Sequence, residues 1–426
     1  MPSAKEIERL QARGLKLLEE LNDMFAGSLS SDDKGKGNPL NATSTLSTSD
    51  RAFIKTILTS GTETDKLSAL ILLSSSSPIH TTSYLNQLQG LTKKKSRDQA
   101  VRAIRAIVDW LQGGSAGTSS AGLPDRKLKW FSEQADLRRV VHAQKTGLKK
   151  NGKQPGDEQL VLWAFEDWLK KWYFSLLQVI EGLLHDPLPF VRTQMTGFIA
   201  SLLSGKPEQE QNLLRLLIDK LADSDKSVSS RTSHHILQVI QSHPMMKGII
   251  VREVAALVLK PSTVNSASNA SHPIVSKKGG QKGKGPATGG PSHAASLRSS
   301  DHSRYYGIIT LNQIMLSRSD QDKLVANKLL ETYFSVFQDL LGTYTTNEDE
   351  AEALPQHGEL RDRKRRRDEK NGKGRKDSDK LKDLSRQDRR KVLRSQQALE
   401  SESKLMAAVL TGVNRAFPYS ELEGNV

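Results

Sequence analysis

The sequence predicts an all-α fold, a HEAT- or armadillo-like α-solenoid with disordered insertions. Three observations carry that expectation. Apolar residues recur at helical spacing through most of the chain. Two segments repeat each other: Leu184, Asp186, Val191, Ile199 and Leu203 return as Leu221, Asp223, Val228, Ile236 and Ile240, each 37 residues on. No stretch shows the alternation of a half-buried strand. Two-helix repeats of this period indicate a solenoid, in which one repeat cannot bury its own apolar face and stacking supplies the core.

Residues 1–26 read as an N-terminal helix, with Ile7, Leu10, Leu17, Leu18 and Leu21 at helical spacing, able to dock on a partner or on the body of the protein. Residues 27–49, rich in Ser, Gly, Thr and Asp, read as a linker. Helical repeats fill 50–112: Ser49 or Asp50 caps a helix that Gly61 stops, and Asp65 starts the next. Asp65 and Asp98, 33 residues apart, are expected at equivalent capping positions. Residues 113–158 are a flexible connector, with 141–158 a loop, in which Leu123–Trp130 is anchored against the solenoid. HEAT-like repeats occupy 159–260 and begin with a long helix over 159–181. Here Asp186-Pro187 makes a turn and Val191-Arg192 follows on the next helix, a HEAT-type signature; Arg192 is expected to pair with an acidic residue of an adjacent repeat. Residues 261–300, rich in Ser, Gly, Lys and Pro, form a disordered insert. A helix pair over 301–342 resumes the solenoid, 343–385 is charged and disordered, and 386–426 starts a further, truncated helical block.

Composition narrows the function. The 426 residues carry 63 Lys plus Arg against 48 Asp plus Glu, a net charge of +15, which favours a polyanionic partner. Aromatic residues are only 5%, too few for a large base-stacking surface. With no cysteine, disulfides, thiolate zinc sites and thiol catalysis are excluded. The N-terminus lacks a signal-peptide apolar stretch, and no apolar run reaches the length of a membrane span, so no membrane partner is expected.

Two basic clusters are candidate RNA contacts. Lys93, Lys94, Lys95 and Arg97 stand at a helix entrance, where ammonium and guanidinium groups can neutralise phosphates; the other reading is a solvated inter-repeat turn. Arg126, Lys127 and Lys129 stand within Leu-Pro-Asp-Arg-Lys-Leu-Lys-Trp-Phe. They suit an RNA clamp with Trp130 or Phe131 stacking, but the interleaving of apolar and basic positions favours Leu128, Trp130 and Phe131 as anchors in a groove. The aromatic stripe from Trp163 to Phe174 reads as core. Arg363, Lys364, Arg365, Arg366 and Arg367 form a nuclear import candidate compatible with RNA binding, in a stretch (361–394) with 17 basic and seven acidic side chains. Gly280–Gly285 lacks the Walker spacing. His234, His235 and His243 match no metal-ligand pattern, and no catalytic motif stands out, so neither enzyme activity nor a cofactor is expected.

Several blocks resemble the CCAAT-binding-factor domain family of nucleolar-complex proteins. They are Ser60–Leu70, Lys93–Ala100, Leu123–Leu128, Phe165–Lys171, His185–Arg192, Lys206–Leu214, Tyr305–Gln313, Ala326–Leu329 and Leu410–Pro418, in order over about residues 50 to 418. The resemblance covers the N-terminal part of the family's architecture, whose members continue past the last block; the 261–300 insert departs from it. It implies a non-enzymatic solenoid of the nucleus and nucleolus that acts on early precursors of the large ribosomal subunit. The implied partners are precursor ribosomal RNA, the second nucleolar-complex protein, other large-subunit assembly factors and ribosomal proteins. The alternatives are a nuclear transcription cofactor, for which no DNA-reading element is visible, and a helical-repeat transport adaptor, a class that is typically acidic.

Overall fold

A computed structural model of the chain describes residues 4–30, 48–113, 122–146, 156–260, 293–353 and 386–420. Among them the regular structure is entirely helical. The chain divides into two compact units, Met1–Leu217 and Ile218–Val426, with the division inside one helix.

In the first unit, α1 (Ala4–Ser30) buries Leu10, Leu18 and Phe25 along one face. It packs on α7 (Asp157–Leu183), so the N-terminal helix docks on the body. The crossing is close at Gly14, where a Cβ would stand 2.8 Å from the Leu160 carbonyl oxygen. Arg13 grips Asp157 with Nε to Oδ1 at 3.0 Å and Nη2 to Oδ2 at 2.9 Å. Buried Asn22 donates to the Leu18 and Ile79 carbonyls and accepts from the Thr82 amide at 2.9 Å, tying α1 to the start of α4.

Helix α2 (Thr48–Ser60) ends at Gly61, as its sequence requires, and α3 (Glu63–Ser76) follows. The expected cap equivalence of Asp65 and Asp98 does not hold. Thr62 caps α3, and Asp65 is its third residue, reaching back to the Thr62 amide to complete a capping box. Asp98 is the second residue of α5 (Arg97–Leu111), behind Ser96. Helix α4 (Thr82–Thr92) packs on α3 and α5. The loop expected over 141–158 is shorter than that: α6 spans Leu137–Thr146 and α7 starts at Asp157. Leu137 and Val140, one turn apart, join Leu10, Phe131 and Leu160 in a core cluster, and this burial fixes a helix whose sequence is otherwise strongly basic. Helices α7 and α8 (Pro189–Gly205) complete this core, with Trp110 edge-on to Trp172 at 6.1 Å and Trp168 stacked beside it. Of the aromatic stripe expected in the core, Trp172 and Tyr173 are buried and Trp163, Phe165 and Trp168 half-buried, whereas Phe174 lies on the outer face of α7 and is exposed.

The offset of 37 residues has a geometric counterpart. Asp186 Oδ1 accepts the Leu188 amide at 2.8 Å, and Asp223 Oδ1 accepts the Asp225 amide at 2.9 Å. Arg192 Nη1 donates to the Asp186 carbonyl at 2.8 Å, and Ser229, its counterpart, donates to the Asp223 carbonyl at 3.2 Å. Arg192 Nη1 also reaches the Pro187 carbonyl at 3.2 Å, so its guanidinium closes the Asp-Pro turn that precedes its helix.

Helix α9 (Glu210–Asp219) carries the unit division. The second unit continues with α10 (Lys226–Ser242), α11 (Lys247–Val258), α12 (His293–Asn312), α13 (Asp320–Ala353) and α14 (Arg386–Ala416). Helix α12 contacts α10, α11 and α14, while α13 contacts α11 and α14. Three expected boundaries move: α12 begins inside the 261–300 insert, α13 runs past 342, and α14 packs on its neighbours instead of opening a separate block. Asn312 ties three of these helices together. It accepts from the Tyr333 hydroxyl at 2.8 Å and donates to the Ala408 carbonyl at 2.7 Å, and Arg415 donates to its carbonyl.

Candidate nucleic-acid interface

The first basic cluster is the turn from α4 to α5. Helix α4 ends on Lys93, and Ser96 precedes α5. Lys94 is half-buried and pairs with Glu63 at the start of α3, which holds the Glu63 carboxyl below its ordinary range. Arg97 Nε meets Asp186 Oδ2 at 2.7 Å, which lowers the Asp186 carboxyl in turn. Lys93 and Lys95 are exposed and form no ion pair among the described residues. Arg102, one turn into α5, also faces solvent; with Lys94, Glu63 and Leu91 it lines a shallow concavity. Arg102 does not stand out in the sequence, although four residues beyond Asp98 it shares that residue's helix face.

The second cluster lies on an extended strap, residues 122–131. Gly122 starts it at φ +88°, with a Cβ there 2.3 Å from the Trp110 carbonyl oxygen, so glycine is required. Leu123, Leu128 and Phe131 are buried, whereas Trp130 is 39% exposed with Lys170 Nζ 5.0 Å from its ring centroid. The Leu128 backbone is clamped on both sides: its amide donates to Glu208 Oε2 at 2.8 Å and its carbonyl accepts from Lys170 Nζ at 2.6 Å. Arg126 pairs with Glu166, which also accepts the Lys129 amide at 2.8 Å and Gln134 Nε2 at 2.9 Å. Burial alone would raise the Glu166 carboxyl, but these donors outweigh it and hold the group below its usual range. Lys127 meets Glu210 at 2.6 Å, and Lys206 meets Asp125 at 2.7 Å.

Three of the blocks that carry the family resemblance therefore meet here. Leu123–Leu128 is the strap, Phe165–Lys171 lies beneath it, and Lys206–Leu214 grips its flank. Arg126 and Lys127 are committed to internal carboxylates. The Lys129 side chain is exposed and forms no ion pair among the described residues. Gln209 sits at φ +56° between Glu208 and Glu210, a left-handed backbone that costs about 1 kcal/mol and turns both carboxylates toward the strap.

Arg363, Lys364, Arg365, Arg366 and Arg367 lie outside the described residues, as does Gly280–Gly285. Among the described residues, no group of histidine and acidic side chains is placed to hold a metal ion, and no helix is long and apolar enough to cross a membrane.

No family model matches the chain. Individual relatives do. It is 35% identical to Ribosome biogenesis protein NOC1 of Chaetomium thermophilum over 88% of this chain and 30% of that protein. It is 27% identical to mouse CCAAT/enhancer-binding protein zeta over 87% of this chain and 25% of that protein. Nucleolar complex protein 1 of Drosophila melanogaster is 30% identical over 50% of this chain and 17% of its own length. The chain spans from 17% to 38% of the lengths of the curated relatives it matches. With relatives of these names matching at 27–35% identity, two of them over most of the chain, the chain belongs to the CCAAT-binding-factor domain family of nucleolar-complex proteins.

Proposed function

We propose that this chain is part of a nucleolar ribosome-assembly factor: a non-enzymatic scaffold whose helix pairs stack in the HEAT manner and hold precursor RNA of the large ribosomal subunit. The observation that carries this reading is the similarity to a protein named for ribosome biogenesis over 88% of the chain and to one named for the nucleolar complex over 50% of it. The +15 charge supports a polyanionic partner. The exposed Lys93 and Lys95, beside Arg102, supply cations on a rigid turn, and Lys129 supplies another on the strap. Fixed lysines of this kind hold phosphates without reading sequence, which suits a protein that recognises folded RNA by shape. The second nucleolar-complex protein, other assembly factors and ribosomal proteins are the proposed protein partners, and the 363–367 run is the proposed import signal.

The test is RNA affinity against salt. For the double variant Lys93→Ala/Lys95→Ala, the slope of log affinity on log salt should fall by about 2, near one unit for each phosphate that is no longer neutralised. An unchanged slope would remove the turn from the interface. The name of the mouse relative favours a second reading, a transcription cofactor, which the same titration on promoter duplex DNA addresses.

A further inference from the structure

We propose that Ser96 is a phosphorylation site for a protein kinase that reads basic residues, and that its modification switches off the Lys93–Arg97 turn as an RNA contact. The second half of this rests on the RNA reading above; the first half does not. Ser96 is exposed and stands at the one position of the turn that presents a hydroxyl. Lys93, Lys94 and Lys95 precede it and Arg97 follows it, so the acceptor carries three cations on its N-terminal side and one beyond. An acidic substrate cleft in a kinase complements that pattern by charge. The hydroxyl is also idle: Ser96 precedes α5, yet its side chain makes no capping hydrogen bond. The corresponding group at α3, Thr62, is engaged in its capping box. Modification at Ser96 therefore disrupts no cap.

In the reaction, Ser96 Oγ forms a bond to the γ-phosphorus of ATP and the bond from that phosphorus to the ADP oxygen breaks. The hydroxyl proton leaves to the kinase's base. The product carries a charge of about −1.5 to −2 at neutral pH. Glu63 already neutralises Lys94 and Asp186 already neutralises Arg97. What remains on the turn is the pair Lys93 and Lys95, with Asp98 on the helix behind them. A phosphate between two lysines cancels them, and the unpaired amides of the first turn of α5 hold it there. The turn would then no longer attract RNA phosphates.

The experiment treats the full chain with the catalytic subunit of cyclic-AMP-dependent kinase and ATP, locates phosphate by mass spectrometry, and measures RNA affinity against salt before and after. A synthetic peptide covering 90–101 controls for kinase activity, and Ser96→Ala controls for the site. The expected result is phosphate on Ser96 of the folded chain and a salt slope lower by about 2. Ser96→Ala should take no phosphate at that position and bind RNA as the parent does. A peptide that is modified while the folded chain is not would overturn the site. Phosphorylation without a change in slope would overturn the switch if Lys93→Ala/Lys95→Ala does lower the slope. If neither changes it, the RNA reading of this turn fails, and phosphate on Ser96 then decides the acceptor claim alone.

Discussion

Single residues carry the energetics of the strap and of the aromatic core. Glu166 is the main clamp: one buried carboxylate satisfies Arg126, the Lys129 amide and Gln134. Replacing it with Gln leaves Arg126 without a counter-charge, and chemical denaturation should show a loss of about 2 kcal/mol. Because its folded pKa is depressed, its stabilisation is present above the unfolded value, near 4.3, and is lost as pH falls through the folded one. Asp322 behaves alike in the second unit, where Lys247 at 2.8 Å and Ser317 outweigh a burial effect of opposite sign. Acid titration followed by circular dichroism should therefore weaken the protein below about pH 4, and Glu166→Gln should flatten that limb. Tyr173 makes the opposite case. Its hydroxyl is buried, lacks a partner among the described residues, and has its pKa pushed up by burial. Tyr173→Phe should stabilise the protein by about 1 kcal/mol in the same denaturation measurement; a loss instead would mean that the hydroxyl is bonded in solution.

Among the helices, the docking of α1 is the sharpest packing claim. A methyl at Gly14 would sit 2.8 Å from the Leu160 carbonyl oxygen, which is backbone and cannot yield cheaply. Gly14→Ala should cost about 1 to 3 kcal/mol and accelerate amide exchange along α1 before it affects α10 to α14. Most helices were legible in the sequence because their apolar spacing and stop signals agree, as at Gly61. The repeat offset was legible because both turns use an aspartate to hold the amide two residues on. Helix α6 was hidden: Arg138, Arg139 and the basic residues beyond disguise a buried pair, Leu137 and Val140, that distant Leu10 and Leu160 and nearby Phe131 complete. The acidic partners of the strap were also hidden. Glu166, Glu208 and Glu210 lie about 40 to 80 residues from Arg126 and Lys127, and no local period announces that distance. The identity of Arg126 and Lys127 was visible in the sequence; that internal carboxylates occupy them was not.

At the scale of the whole molecule, the surplus of positive charge is unevenly available. Several basic groups of the first unit, among them Arg13, Lys94, Arg97, Arg126, Lys127 and Lys206, are bound to carboxylates of the fold. Among those that remain for a partner are Lys93 and Lys95 on the turn, Arg102 on α5 and Lys129 on the strap, and the 361–394 stretch adds a dense basic run. That distribution supports the proposed role, in which the chain holds precursor RNA of the large ribosomal subunit through a few fixed cations. The most direct measurement is ultraviolet crosslinking of the tagged chain in cells, with sequencing of the bound RNA and identification of the co-purified proteins. Enrichment of large-subunit precursor RNA together with a nucleolar-complex partner is the expected result. Recovery of promoter complexes or transport cargo, with ribosomal RNA at background, would contradict it.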